Sequence, residues 1–123
     1  MTRLAFILLL ASVMLTACQP GGGHTEAAQI IDHSINTIIN DKQIAMSSNP
    51  NEYIAAHQEA YDQIIGQGDT GLEYLVQELK NSDGNGLKAW IMAKASNDIL
   101  GEASPVKDWS TAQEWVAQYE RAQ

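Results

Sequence analysis

Residues 64–79, IIGQGDTGLEYLVQEL, and residues 86–101, GLKAWIMAKASNDILG, decide the fold of this chain. In the first run Leu72, Leu75, Val76 and Leu79 recur at helical spacing. In the second, Leu87, Trp90, Ile91, Ala95 and Ile99 form the inward stripe. Gly101 stands where a helix C′ glycine belongs. Asp83-Gly84-Asn85-Gly86 is a turn cluster between the two helices. Thr70-Gly71-Leu72-Glu73 has the form of a capping box and predicts a helix start there.

The same patterns extend in both directions. A first helix is expected over residues 25–40, with Thr25 as its cap and Ile31, Ile35, Ile38 and Ile39 on one stripe. A second begins near Pro50, where Asn49 suits N-cap, Pro50 suits N1 and Glu52 at N3 completes a capping box. Tyr53, Ile54, Tyr61, Ile64 and Ile65 supply its buried face. A break near His57 would divide it, and Gly66 and Gly68 end it. Ser104-Pro105 marks a loop. The last helix starts at Ser110 or Thr111, since Ser110-x-x-Gln113 and Thr111-x-x-Glu114 are both capping boxes. Ala112, Trp115, Val116 and Tyr119 form its apolar face. No stretch alternates strictly with period two. The expected fold is therefore all-α, a small bundle of about five helices.

The pair 64–79 and 86–101 also resembles a HEAT-type helical hairpin. Ile65-Gly66 and Leu100-Gly101 occupy the places where such repeats end their helices. One hairpin with flanking helices falls short of the three or so repeats that a solenoid needs, so a compact bundle is expected.

With 123 residues and 45% hydrophobic side chains, the chain can build one core and not two. The formal charge of −8, from seven basic and fifteen acidic residues, argues against nucleic acid as a partner, because that binding rests on Lys and Arg. It argues equally against electrostatic docking on an anionic membrane. The single cysteine excludes an internal disulfide.

That cysteine lies in the N-terminal stretch. Arg3 precedes an apolar run from Leu4 to Met14, the pattern of a secretory signal peptide over residues 1–17. The run is too short to span a bilayer, which takes about 20 residues. It ends Leu15-Thr16-Ala17-Cys18, which resembles the lipobox of bacterial lipoprotein precursors. The resemblance implies a diacylglyceryl group on Cys18 and cleavage between Ala17 and Cys18. Two or three acyl chains hold a protein stably, at about 0.8 kcal/mol per buried CH₂. Loss of Arg3 with the signal would leave six basic and fifteen acidic residues, a charge of −9. Gln19 follows the cysteine, whereas Asp at that place resembles an inner-membrane retention signal. The expected location is the outer membrane of a double-membraned bacterium, or the outer face of the cell membrane in a single-membraned one. Residues 18–24 read as the lipidated cysteine and a glycine tether, and residues 25–123 as one helical domain.

SSNPNEYI, NGLKAWIMAKA, ILG and WSTAQEWVAQY also resemble segments of a group of small bacterial lipoproteins and exported proteins. That resemblance implies a shared fold and transfers no catalytic residue.

His24, His33 and His57 lack zinc-ligand spacing, and Asp32-His33 beside Glu26 adds nothing to it, so they read as surface residues. No cofactor motif is present. Ser47, Ser48 and Ser110 read as caps, and no G-x-S-x-G occurs. Glu73, Glu78, Asp62 and Asp69 read as solvated helix faces. Trp90, Trp109 and Trp115, with the tyrosines, read first as core. Trp109 lies outside the apolar stripe just before a helix, and is the candidate interaction residue. The sequence thus points to a membrane-anchored binding module with a protein partner. The alternative is an envelope enzyme, or an accessory subunit, with a site of carboxylates and tyrosines.

Overall fold

The computed structural model describes residues 22–123. The expected signal peptide, the cleavage site at Ala17 and Cys18 and the start of the tether lie outside the described residues. The described chain is all-helical: α1 (Gly22–Ile39), α2 (Pro50–Ala56), α3 (Gln58–Ile65), α4 (Gly68–Asn81), α5 (Gly86–Leu100) and α6 (Ala112–Arg121), with one 3₁₀ turn at Gly101–Ala103.

The described part of α1 runs from Gly22, three residues before the expected cap, so Gly22, Gly23 and His24 belong to the helix and not to the tether. Ala27 and Ile31 anchor the turn that follows, and His24 reaches Glu73 of α4 at 3.4 Å. Ile31, Ile35 and Ile38 are wholly buried, as the stripe predicts.

Six helices form instead of about five because the chain breaks at His57. Its backbone (φ −131, ψ 48) ends α2 and opens α3. Asn49 caps α2 by accepting from the N–H of Asn51, with Pro50 at N1. The capping box expected with Glu52 does not close. Ser47 comes between, donating its hydroxyl to Glu52 and accepting the N–H of Asn49.

Helix α4 starts at Gly68, not at Thr70. Gly71 is buried, and an added Cβ would lie 3.3 Å from Ile31 Cδ1 and 2.5 Å from Gln67 Cβ. It is therefore a close-packing residue where α4 meets α1. Helix α6 selects the second of its two capping boxes. Thr111 accepts from the N–H of Glu114, and the Glu114 carboxylate accepts from the N–H groups of Thr111 and Ser110.

α4 and α5 pack together as the hairpin, and α5 also touches α1, α2, α3 and α6. It is the middle helix. Ala89, Ile91, Met92, Ala93, Ala95 and Ser96 are all buried, while Leu87, Trp90 and Ile99 are only half-buried. A one-sided stripe therefore understates this helix. Small side chains let neighbours approach it from several directions. Trp115 of α6 closes the core at full burial. Its indole N–H donates to Asn97 Oδ1 at 3.1 Å, and the buried Ser104 hydroxyl donates to the same oxygen at 2.6 Å. Among the described residues, every buried side-chain nitrogen and oxygen has a hydrogen-bond partner.

Candidate interaction site

A groove of about 260 Å³ opens between the start of α2 and the start of α5. One wall is Ser47, Ser48, Pro50 and Tyr53; the other is Gly86, Leu87 and Trp90. The Trp109 ring packs on Trp90 with centroids 5.6 Å apart and planes tilted by 39°. Tilted and offset pairs of this kind favour contact between ring edge and face. Met46, next in the chain to Ser47, is 96% exposed.

Local hydrogen bonds set the positions of these residues. Asp41 Oδ1 accepts from the N–H of Gln43 at 2.8 Å and begins the turn after α1. The His57 ring lies 2.8 Å from Asp41 Oδ2 and ties the start of this loop to the α2–α3 break. Tyr53 donates to the Ser47 carbonyl at 3.4 Å and ties its end. The His57 hydrogen bond holds the Asp41 carboxyl below the usual carboxylate range, helped by the Gln43 N–H. On the other side, Gln118 donates to the Asp108 carbonyl at 2.7 Å, and Ser110 donates its N–H to Glu114. Both neighbours of Trp109 are thus pinned to α6.

Trp109 is half-buried against the core and packs on the half-buried Trp90. Trp90 was assigned to the inward stripe, and Pro50 only to a helix start. The structure sets Trp90 against Trp109 and Pro50 across the groove from Trp90. SSNP and NGLK supply the two walls, the second tryptophan segment supplies Trp109, and Ile99–Gly101 lies at the far end of α5. Among the described residues, no Asp, Glu, His, Lys or Cys lines this groove. Its chemistry is apolar contact with hydroxyl groups at the rim.

The titratable residues are placed elsewhere. His33, Ser34, Thr37, His57 and Gln63 line an open polar groove between α1 and α3, where Ser34 donates to Gln63 at 3.4 Å. Among the described residues, no three His, Cys, Asp or Glu side chains converge as metal ligands do. Two tyrosine–carboxylate pairs escaped the sequence reading. Tyr61 of α3 donates to Asp98 of α5 at 2.6 Å, and Lys94 joins the same oxygen at 3.0 Å. Tyr74 of α4 donates to Asp32 of α1 at 2.8 Å. Burial first, and the facing carboxylates second, push both phenols well above their usual range. Both stay neutral donors that tie helix to helix, on two separate seams. Glu73 is exposed beside His24, and Asp62 accepts from Gln58 on the α3 surface.

No helix among the described residues is long and apolar enough to cross a membrane. No protein-family model, curated protein or solved structure matches the chain significantly, so the roles given to these residues rest on their own chemistry and geometry.

Proposed function

We propose that the chain is an exported lipoprotein, held to the outer face of a membrane by a diacylglyceryl group on Cys18. Its helical domain binds a protein partner and catalyses no reaction. The observation that carries this reading is the run Leu15-Thr16-Ala17-Cys18 behind an apolar segment with Arg3 at its head. The groove of Pro50, Tyr53, Leu87 and Trp90, with Trp109 behind it and Met46 beside it, supports the binding half. The half-buried Trp90 and Trp109 and the exposed Met46 are of residue types enriched at protein interfaces. The lining of this groove offers no group to move a proton near neutral pH.

In cells fed a fatty-acid probe, the wild-type chain should take label and Cys18→Ala should not. Equal labelling of the two refutes the anchor. A photoreactive side chain at Met46 should trap one discrete protein, and the same group at Glu26 on α1 should not. Identical products from both positions refute the binding site.

A further inference from the structure

We infer that the face built from the start of α1, the start of α4 and the end of α6 rests on the lipid leaflet, with the groove between α4 and α6 as its contact. This rests on the lipid-anchor reading of Cys18. Gly22, the first described residue of α1, stands four positions on from Cys18. An extended chain covers at most about 3.6 Å per residue, so the Gly22 Cα stays within about 14 Å of the Cα of the acylated cysteine. The 18 residues of α1 rise about 1.5 Å each, which carries its other end about 27 Å away. The two ends of the domain are therefore not equivalent to the membrane.

What lies at the near end follows from tertiary contacts and not from sequence order. His24 is 3.4 Å from Glu73, which fixes the start of α4 beside the start of α1. Glu73 lines a groove of about 380 Å³ with Leu72, Val76, Tyr119 and the C-terminal Gln123. Residues about 50 to 100 positions beyond the cysteine thus return to the anchor. The groove has an apolar floor and a polar rim. Lys80 at its edge is matched by Glu120 at 3.4 Å, so the rim offers no net positive charge to anionic headgroups. The half-buried Tyr119, an apolar ring with a polar tip, suits the boundary between acyl chains and water. Attachment comes from the acyl chains, and this face sets the orientation. Its occupant is the neutral surface of the leaflet that holds the anchor.

The test uses the full chain, processed in cells and reconstituted in phosphatidylcholine vesicles. Cys18 is consumed by the lipid, so one added cysteine is the only free thiol. A dye is attached at Gln77→Cys, in the groove, or at Lys42→Cys, just past the far end of α1; both sites are exposed. A quencher is carried on the lipid headgroups. Quenching several-fold stronger at 77 than at 42 is expected, although 42 is nearer the anchor in sequence. Equal quenching, or stronger quenching at 42, overturns the orientation and leaves the groove to a second copy or a protein. A preparation with no lipid mass on Cys18 overturns the anchor and the orientation together.

Discussion

Asn97→Ala tests the hydrogen-bonded centre of the core. Asn97 Oδ1 accepts from the indole N–H of Trp115 at 3.1 Å and from the Ser104 hydroxyl at 2.6 Å. Trp115 is 0% exposed, so water cannot replace the lost acceptor. An orphaned buried donor costs about 1–3 kcal/mol. Ser104 loses less, because its oxygen remains 3.2 Å from both the carbonyl and the N–H of Val106. The expected loss is about 2–3 kcal/mol in total. With a urea slope of about 1–3 kcal/mol per M, the unfolding midpoint should fall by about 1 M or more. Urea denaturation followed by far-UV circular dichroism reads this directly. The same substitution made on a Trp115→Phe chain meets no indole N–H, so its cost should drop by half or more. If Asn97→Ala costs under about 0.5 kcal/mol, the usual range of an uninvolved surface change, the reasoning fails. It fails equally if the cost is unchanged in the Trp115→Phe chain.

Other outcomes follow from single residues. Gly84 has φ +69, and an added Cβ would lie 2.5 Å from Gln113 Cγ, so Gly84→Ala should cost about 1–2 kcal/mol in thermal unfolding. Gln113→Ala should recover the contact part of that loss and leave the backbone part. At Asp41 the folded carboxyl titrates below its unfolded value, so its contribution is present at neutral pH and lost as pH falls through the folded value. The stability advantage of wild type over Asp41→Asn should therefore shrink below about pH 4, as denaturation at stepped pH would show. Tyr61 and Tyr74 should remain protonated in alkali until the chain unfolds, so two of the four tyrosines should ionise together with the loss of helix signal. Free ionisation of Tyr61 or Tyr74 in the folded state, near the ordinary phenol value of about 10, would refute those pairs.

The legible parts of this fold are those written in short-range chemistry. Asn49-Pro50 and Thr111-x-x-Glu114 announce helix starts because a cap and its target lie within four residues. The break at His57 was foreseeable, and the isoleucine stripe of α1 named its own buried face. Thr70 misled because a capping-box pattern inside a helix looks the same as one at its start. The surroundings of α5 were hidden for a different reason. Burial on several sides depends on which helices return to it, and periodicity within one helix does not carry that information. The candidate site was half visible. Trp109 stood out by falling off an apolar stripe, but its partner Trp90 sat on one. Pro50 already had a complete local explanation. Asn97 and Asp98 could have been noticed as polar residues interrupting the apolar run of α5, although their partners Trp115 and Tyr61 are 18 and 37 positions away.

The two walls of the tryptophan groove differ mechanically. The α5 wall belongs to the middle helix, clamped by neighbours on several sides. The opposite wall is carried by α2, seven residues long, whose buried side chains are Tyr53 and Ile54. A helix that short has little stability of its own, and the segment before it is tied at Asp41–His57 and Ser47–Tyr53. One wall of the groove is thus fixed by the core and the other is held by a short helix and two side-chain ties, so loss of either tie should loosen the α2 wall while Trp90 stays packed on Trp109.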